Sequence, residues 1–250
     1  MPPVVSVVVP LRDRAGTRLE NCLRSVRWQK APAPADVEIV LADYGSQAPF
    51  RAEIAALAAA HGAVHRVHET AAIWNRSAAL NLGIRAATGH YVLCTDSDMI
   101  LAPDFLEQLL AVQHTHEDRA LALCRSSDLP PGAAEAPVAL GDFPALRART
   151  TLRPRYGMGG CQFALRSWFE EVRGYDEAYR WWGWEDADMA WRARRSGLSW
   201  AWVEERTAML HQWHHKLNDS HYFEIWKNRF RFWLTRHQVL KNLDRWGEGR

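Results

Sequence analysis

Residues 91–98 read YVLCTDSD, a short apolar run followed by two aspartates that flank one serine. The run from Tyr91 to Thr95 predicts a buried β-strand, so Asp96 and Asp98 would stand at its carboxyl end. In open α/β sheets, ligands bind outside the carboxyl ends of the strands. We therefore expect this segment to carry both carboxylates to a binding crevice.

Strand and helix patterns alternate on both sides of this segment. Residues 17–20 also have the sequence of a capping box, which predicts the start of the first helix. The alternation is typical of an α/β domain in which helices flank a mostly parallel, Rossmann-like central sheet. The sequence predicts strands at 4–9, 37–42, 64–67, 91–95, 120–124 and 199–204, and helices at 17–30, 49–61, 75–87, 185–197 and 221–240, with another that begins at Pro103.

The composition is that of an ordinary globular protein, with 48% hydrophobic and 24% charged residues among 250. No stretch approaches the roughly 18 apolar residues of a membrane span, and the N-terminal residues lack a signal-peptide pattern, so we expect a cytoplasmic protein. The net charge of +2 argues against a dedicated nucleic-acid binder. The four cysteines form no CxxC pair, and we expect buried free thiols at Cys22, Cys94, Cys124 and Cys161.

Residues 125–160 break the alternation. Periodicity fails there, Pro, Gly and Ala dominate, and the dense charge comes from Arg147, Arg149, Arg153 and Arg155. A long segment of this kind inside a compact domain is either functional or mobile. We expect a partly ordered lid, and a plain solvated loop is the alternative.

A second cluster of polar and aromatic side chains lies at residues 179–197, YRWWGWEDADMAWRARRSG. Glu185, Asp186 and Asp188 occupy the predicted first turn of a helix, where acids also complement the helix dipole. The preceding WGW at 182–184 places a glycine between two rings, which suits a loop that offers flat apolar walls to a sugar. We interpret the stretch as a candidate acceptor and base site. In the alternative interpretation, the acids only complement the helix dipole and the tryptophans fill the core.

Carboxylates and histidines together suggest a metal site. Asp96 and Asp98 offer hard oxygen ligands that suit Mg²⁺ or Mn²⁺ bridging phosphates, although a DxD triplet also occurs in solvated turns. His211 belongs to a group of three histidines, which is either a surface cluster or a source of an imidazole ligand that favours Mn²⁺ over Mg²⁺. A cation held by Asp98 and His211 would leave positions for diphosphate oxygens and would stabilise a departing nucleoside diphosphate.

The pattern of candidate groups indicates a reaction class. The nucleophile would need a base, and the pair Glu185/Asp186 is the dense carboxylate pair left for that role. One reaction would use all of these candidate groups. In it, a hydroxyl attacks a sugar carbon while a diphosphate leaves. The remaining positive charge for the diphosphate could come from Arg12, Arg14, Arg76 and Lys216.

Several motifs also occur in the order seen in GT-A fold glycosyltransferases. The chain most resembles the β-1,4-galactosyltransferase catalytic domain and the related chondroitin-polymerase and family 2 enzymes. The resemblance implies a GT-A catalytic domain at residues 1–216 and a C-terminal helical extension at 217–250 packed on it. The motifs are VVVPLRDR at 7–14, EIVLADYGS at 38–46, WNRSAALNLG at 74–83, DSD at 96–98, Gly159-Gly160, WGWEDAD at 182–188 and His211.

The resemblance implies a metal-dependent, inverting transferase that uses a nucleotide sugar, usually UDP-linked. Asp98 would be the direct metal ligand with His211, and Asp96 would be the other acid of the DxD motif. Asp43 would lie near the uracil and Gly160 near the donor sugar. We assign to the nucleotide side Pro10, Arg12, Arg14, Asp43, Arg76, Asp96, Gly160, His214 and Lys216.

On the acceptor side, the resemblance implies a glycan or glycoconjugate held by aromatic side chains. Trp182 matches the family's acceptor tryptophan, and we add Trp184 as a second wall. Glu185 matches a partner for the acceptor hydroxyl, and Asp186 matches the catalytic base. Asp188 would support the helix start.

The chain departs from the family pattern in three places. Tyr44 stands where the family has a second aspartate, so the nucleotide contacts are open. Met209 is two residues before His211 rather than three, so we do not count it as a metal ligand. The tryptophan-rich loop lacks two glycines before its acids. The donor sugar is therefore left open, and galactose does not follow.

Residues 221–240 form a predicted aromatic and basic helix. Phe223, Trp226, Phe230 and Trp233 are interleaved with lysines and arginines. Such a helix could pack on the domain, pair subunits or lie on an anionic membrane surface, and packing is the simplest of these. We also expect it to support attachment to a membrane or a larger assembly.

Two functions from other classes compete with a transferase. A sugar-nucleotide pyrophosphorylase should carry a glycine-rich loop ending in Arg or Lys after its first strand, where residues 10–16 read PLRDRAG. A non-catalytic glycan-binding module would explain the tryptophans, but it would not need a metal site and a nucleotide pocket together. The transferase accounts for all the motifs.

Overall fold

The computed structural model describes residues 2–154, 157–215 and 221–248. In these residues the strands are β1 (Val5–Leu11), β2 (Val37–Tyr44), β3 (Val64–His68), β4 (Tyr91–Cys94), β5 (Met99–Leu101), β6 (Ala120–Leu123), β7 (Ser126–Asp128), β8 (Thr151–Leu152), β9 (Gln162–Leu165), β10 (Ser199–Trp202) and β11 (Met209–His211). The α-helices are α1 (Thr17–Arg27), α2 (Ala48–Ala60), α3 (Arg76–Ala86), α4 (Phe105–Thr115), α5 (Phe143–Arg147), α6 (Arg166–Glu171), α7 (Glu185–Arg195) and α8 (Tyr222–Thr235).

The main sheet is mostly parallel, which confirms the predicted fold class. Among the described strands, seven form this sheet in the order β10-β6-β9-β4-β1-β2-β3. β9 runs antiparallel to β4 and β6, whereas the other neighbours are parallel. β1 pairs with β2 from Val5 beside Val37 to Leu11 beside Asp43. The carboxyl ends of β1, β2 and β4 therefore meet at one edge.

Both faces of this sheet are buried, which explains why the central strands are apolar at nearly every position. Val7 and Val9 of β1 join the cluster that contains Leu23 of α1. Val8 points to the opposite face and joins the cluster that contains Leu80 of α3. Successive strand residues alternate between faces, so a strand covered on both sides needs apolar residues throughout.

A smaller sheet adjoins the main one and carries polar groups to the same edge. Its described strands follow the order β5-β11-β7-β8. His211, the last residue of β11, lies beside Asp128 of β7 on one side and Met99 of β5 on the other. Asp98 directly precedes β5, so this register brings Asp98, Asp128 and His211 together.

The segment after β6 contains regular structure, so it is not a plain solvated loop. It contains β7, α5, β8 and a 3₁₀ turn at Leu140–Asp142. Its Val138 and Phe143 join the hydrophobic core. The Asn21 side chain accepts a hydrogen bond from the Val138 amide at 2.7 Å. The segment is therefore partly ordered rather than a plain solvated loop, its role as a lid stays a prediction, and Arg155 lies outside the described residues.

Several local predictions are wrong at the ends of elements. α1 begins at Thr17 with Gly16 before it, and no side chain caps it. Glu20 instead accepts a hydrogen bond from Arg24 at 2.9 Å, so the predicted capping box does not form. α8 ends at Thr235 rather than near residue 240. The sequence analysis also did not predict β9 and α6.

Helix α8 packs one narrow stripe on the rest of the protein. Asn228 and Phe232 are its buried residues. In the portion of the chain that the structure describes, no helix has the length and apolar character needed to cross a bilayer. The domain boundary after residue 216 stays a prediction. The four cysteines are free and buried, as expected.

Candidate active site

A cleft of about 1890 Å³ opens at the carboxyl ends of β1 and β4. Residues of the first-strand loop, the DxD segment, the tryptophan loop and the end of β11 all contribute to it. Lys216, which was predicted on the nucleotide side, lies outside the described residues. Of the predicted site residues, the cleft is lined by Pro10, Arg12, Arg14, Arg76, Asp96, Asp98, Gly160, Trp182, Trp184, Glu185, Asp186, His211 and His214.

Three side chains in the cleft have the geometry of a metal site. One ligand atom from each of Asp98, His211 and His214 lies within 4.8 Å of the others. Asp98 Oδ2 is 3.6 Å from His211 Nε2 and 3.4 Å from His214 Nε2. Asp98 Oδ1 is buried without a hydrogen-bond partner, an arrangement that a cation would relieve. One carboxylate and two imidazoles form a donor set that can hold a divalent transition-metal cation, Mn²⁺ among them.

This group differs from the predicted ligand set at two residues. His214, which we had assigned to the nucleotide, belongs to the group. Asp96, which we had included as a ligand, does not belong to it. Its Oδ1 instead accepts hydrogen bonds from Arg76 Nε at 3.0 Å and Nη2 at 2.7 Å. Met209 is buried beside the site and does not line the cleft.

The imidazole of His211 is oriented by residues that the sequence analysis did not identify as part of the site. Its Nδ1 lies 2.9 Å from Asp128 Oδ1 and 2.9 Å from Arg153 Nη2. Arg153 also forms an ion pair with Asp128 at 2.6 Å. A guanidinium only donates, so Nδ1 of a neutral imidazole accepts from Arg153 when the ring proton is on Nε2. Binding of a cation at Nε2 would require the other tautomer, whose Nδ1–H would face Asp128 Oδ1, an oxygen that has no hydrogen-bond partner. A carboxylate behind a ligating histidine is a common supporting arrangement.

The charges in this group favour an ionised Asp98. Burial would raise the pKa of its carboxyl, but hydrogen bonding to His214 and the positive charge on His211 and His214 outweigh burial and lower it. The same hydrogen bond raises the pKa of His214, against the effect of its own partial burial. Asp98 is therefore available as an anionic ligand.

Arg76 connects the two acidic parts of the cleft. Its guanidinium is buried, bonds to Asp96 and donates to the Gly159 carbonyl at 2.8 Å. Its Nη1 lies 3.6 Å from Glu185 Oε1. Burial alone would lower the pKa of Arg76, but the negative charges of Asp96 and Glu185 raise it above its usual value. Arg76 therefore stays charged between the DxD segment and α7.

The three acids at the start of α7 occupy different environments. Glu185 is buried, and its Oε2 has no hydrogen-bond partner. Burial and the negative charge of Asp186 raise the pKa of Glu185, although Arg76 opposes the shift. Asp186 is half-buried at the cleft wall, and its carboxylate accepts from the Met158 amide at 3.1 Å. Thus Asp186 faces the cleft more openly than Glu185.

Asp188 points away from the cleft into a buried group of charges. It is 1% exposed and does not line the cleft. Its carboxylate lies 3.7 Å from Arg192 and 3.6 Å from Lys241, which also pairs with Asp176 at 3.3 Å. Burial raises the pKa of Asp188, against the two cations. The arrangement links α7 to the C-terminal segment.

The tryptophan loop has an unusual backbone. Trp181, Gly183 and Trp184 have φ values of 67°, 99° and 74°. Positive φ is rare for bulky side chains and persists only where the surroundings impose it. Asn228 of α8 supplies that restraint by donating to the carbonyls of Arg180 and Trp182 at 2.8 and 3.2 Å.

The rings of this loop have different surroundings. Trp182 is 45% exposed and lines the cleft. Trp184 also lines the cleft, but it packs against Phe232 of α8 with ring centroids 5.1 Å apart. Trp182 therefore offers the more open wall.

Asp43 is the described residue of the predicted set that does not line the cleft. Its carboxylate is fully buried, accepts from the Ser46 amide at 2.9 Å and lies 3.2 Å from His65 Nε2. In this arrangement Asp43 holds the turn after β2. Its predicted contact with a nucleotide base stays a prediction.

The sequence profile of glycosyl transferase family 2 matches residues 6–173, more than half of the chain. A second profile, the N-terminal domain of galactosyltransferase, matches residues 149–216. No curated protein sequence matches the chain.

Solved structures with a similar fold include three with bound nucleotide or nucleotide sugar. The mannosyltransferase PcManGT from Pyrobaculum calidifontis, in complex with GDP-Man and Mn²⁺, is 20% identical with a TM-score of 0.59, covering 95% of this chain and 63% of that chain. TarS from S. aureus, in complex with UDP-GlcNAc, is 16% identical with a TM-score of 0.66. The match covers 91% of this chain and 64% of that chain. GalNAc-T7 with UDP, GalNAc and Mn²⁺ is 18% identical with a TM-score of 0.66. The match covers 91% of this chain and 48% of that chain.

These likenesses establish the GT-A fold. The chain matches between 48% and 64% of the length of those proteins. The profile match covers β1 to α6, including the DxD segment. The chain belongs to glycosyl transferase family 2.

Proposed function

We propose that the protein is a metal-dependent, inverting glycosyltransferase that moves a sugar from a UDP-sugar to a hydroxyl of a glycan acceptor. The observation that carries this proposal is the presence of two separate polar groups in one cleft. Asp98, His211 and His214 form the first, and Glu185 with Asp186 forms the second. Two of the similar structures contain UDP or a UDP-sugar, which supports the choice of donor.

On the donor side, this chain's residues would bind and neutralise a diphosphate. Asp98, His211 and His214 would hold a divalent cation, which stabilises the negative charge of a departing diphosphate. Arg12 and Arg14 line the same cleft and would add positive charge. Two of the similar structures contain Mn²⁺, which supports this cation.

On the acceptor side, Trp182 would place a sugar ring and Asp186 would act as the base. The acceptor oxygen forms a bond to the anomeric carbon as the bond from that carbon to the diphosphate oxygen breaks. The diphosphate leaves with the bonding electrons, and the hydroxyl proton passes to the Asp186 carboxylate. A single displacement from the opposite face inverts the anomeric centre.

Glu185 would accept a hydrogen bond from, or donate one to, the acceptor beside Asp186. Its raised pKa makes the protonated form accessible near neutral pH, so the carboxyl can act in either sense. The positive charge of Arg76 lies on its inner side. This role leaves proton abstraction to the more open Asp186.

The proposal is tested with a panel of UDP-sugars and GDP-mannose, with Mn²⁺ or EDTA. We expect Mn²⁺-dependent release of UDP, first as slow donor hydrolysis and then faster with a matching acceptor. Asp186→Asn should lower the rate by at least about a hundredfold, because it cannot take the proton. Asp244→Asn, an exposed carboxamide swap, is the control.

Three results would contradict parts of the proposal. A product with retained anomeric configuration would exclude single displacement, and a near-normal rate for Asp186→Asn would exclude it as the base. Calorimetric titration with UDP and with glycans distinguishes a transferase from a non-catalytic glycan-binding module. Glycan binding with no Mn²⁺-dependent UDP binding would identify the module.

A further inference from the structure

Helix α8 carries five large apolar side chains on its outer side. Each is at least 51% exposed. We call this set the outer face of α8. It consists of Phe223, Trp226, Phe230, Trp233 and Leu234.

The spacing of these residues makes one continuous surface. Successive helix residues are about 100° apart, so these positions fall within an arc of about 100°. The opposite side of the helix carries Asn228 and Phe232, which are buried against the tryptophan loop. The helix is therefore anchored to the protein by its inner stripe while its outer face points to solvent.

The exposed charge next to this face is positive. Lys227 Nζ lies 4.3 Å from the Phe223 ring, and Arg236 lies 4.1 Å from the Trp233 ring. Arg229 is also exposed. The acid of this helix, Glu224, is paired with Lys227 at 2.8 Å. Contiguous exposed apolar patches of this kind mark interaction sites.

We propose that the outer face of α8 binds the surface of an anionic membrane. Tryptophan and phenylalanine side chains would enter the boundary between headgroups and acyl chains, and Lys227, Arg229 and Arg236 would contact anionic headgroups. The helix lies along the membrane surface in this arrangement. It is anchored to the protein along its length by Asn228 and Phe232.

The charge pattern favours lipid over a second copy of this chain. A symmetric dimer built on this face would bring two sets of Arg229 and Arg236 together, whereas Lys227 is already paired with Glu224. The face offers no unpaired acid of α8 to balance them, since Glu224 is paired with Lys227. An anionic lipid surface would supply that balance at Arg229 and Arg236.

Membrane docking would also fix the orientation of the cleft. Trp184 of the cleft packs on Phe232 of α8, and His221 contacts Trp181 in a tilted arrangement with ring centroids 4.2 Å apart. The acceptor side of the cleft therefore lies beside the docked helix. The binding inference itself does not depend on the proposed chemistry.

The test is co-sedimentation of the full chain with vesicles of phosphatidylcholine alone or mixed equally with phosphatidylglycerol. We expect binding to the mixed vesicles that weakens with salt. The double substitution Trp226→Ser/Phe230→Ser should lower the partition coefficient by about tenfold or more. Phe50→Ser/Leu140→Ser removes exposed apolar side chains elsewhere and should bind like wild type.

A second pair of variants tests the charges. Lys227→Gln/Arg236→Gln should reduce binding to the mixed vesicles by about tenfold, because each basic residue near an anionic surface contributes. Lys30→Gln/Arg206→Gln removes the same charge from other exposed positions and should have a smaller effect. Circular dichroism and thermal unfolding of each variant confirm an intact fold.

Two outcomes would overturn the inference. The first is an absence of the expected binding pattern: the wild-type protein does not sediment with the mixed vesicles, or the α8 variants bind to them as well as wild type does. The second is a concentration-dependent dimer, seen by analytical ultracentrifugation, that Trp226→Ser/Phe230→Ser abolishes while vesicle binding is absent. That result would identify the outer face as a contact between copies of this chain.

Discussion

His211 and Asp128 lie side by side in the pairing of β11 with β7, and the Nδ1 atom of His211 is 2.9 Å from Asp128 Oδ1. The backbone register thus sets the orientation of the imidazole before any ligand binds. Its Nε2 is directed toward Asp98. The carboxylate behind the ring therefore supports the candidate metal site without belonging to it.

The first prediction concerns this support. Asp128→Asn should weaken Mn²⁺ binding by about 10–100-fold, because a neutral amide favours the Nδ1–H tautomer of His211 less than a carboxylate does. Calorimetric titration with Mn²⁺ measures the change, and Asp244→Asn at an exposed position is the control. Unchanged Mn²⁺ affinity would mean that Asp128 serves only to pair with Arg153.

The second prediction separates two roles for His214. If His214 binds the cation, His214→Gln should lower Mn²⁺ affinity by about tenfold or more even without nucleotide. Titration of the nucleotide-free protein with Mn²⁺ is the measurement, with the exposed His114→Gln as control. Normal Mn²⁺ affinity with weakened UDP binding would instead support the nucleotide contact that the sequence analysis expected.

The third prediction is a pH dependence from Glu185. Burial and Asp186 raise its pKa from 4.5 to about 7, so the folded protein favours the protonated form. Its contribution to stability is present below the unfolded value and is lost as pH rises through the folded value. In EDTA, wild type and Glu185→Gln should unfold at similar temperatures at about pH 5, and wild type should unfold lower at about pH 8.

The exposed substitution Glu205→Gln is the control for this experiment. Its unfolding temperature should follow that of wild type at both pH values. If the difference between wild type and Glu185→Gln did not grow with pH, the carboxyl of Glu185 would be ionised throughout the range.

The fourth prediction concerns Asn228 as a positioning residue. Asn228→Ala removes the hydrogen bonds to the carbonyls of Arg180 and Trp182, so the tryptophan loop loses a restraint on its positive-φ backbone. The KM for the acceptor should rise by about tenfold, while UDP affinity stays within about twofold. Gln238→Ala, an exposed position just after α8, should change neither.

Equal loss of acceptor and UDP binding by Asn228→Ala would indicate general unfolding rather than a displaced loop. Thermal unfolding of the same variant distinguishes the two. A fully normal KM would show that the loop holds its shape without the hydrogen bonds from Asn228.

The fifth prediction concerns the buried charges behind α7. Lys241→Met keeps an apolar side chain but leaves the buried carboxylates of Asp176 and Asp188 without one of their cations. The free energy of unfolding should fall by about 3 kcal/mol. Urea denaturation measures it, and Lys30→Met at an exposed position should change it little. An equally stable Lys241→Met protein would show that Arg192 and Arg231 suffice.

The sequence predicted the parts of the fold that have strong local patterns. β1, β2 and β4 are apolar on both faces, and α7 has acids at one end and arginines at the other. These patterns lie within single elements, so they can be recognised without knowledge of the tertiary contacts. The placement of Asp98 at a strand end followed from the same logic.

The rest of the fold and of the candidate site depends on contacts between residues that are far apart in the sequence. No local pattern reveals such contacts. β5, β7, β8 and β11 have two or three residues each, too short for periodicity to detect. Asp128 lies in one of them, and it was missed because an isolated acid in a patternless segment resembles a solvated one. Only the pairing of β7 with β11 brings it to His211.

The joining of Asp98 and His211 across β5 and β11 has a further consequence for folding. These strands pair antiparallel, and between them in the sequence lies nearly half of the chain. A cation bound to both side chains would tether that long loop, much as a covalent cross-link does, and would bind the unfolded chain far less well. The metal supply would then affect how long the folded protein survives, in addition to its role in the proposed reaction.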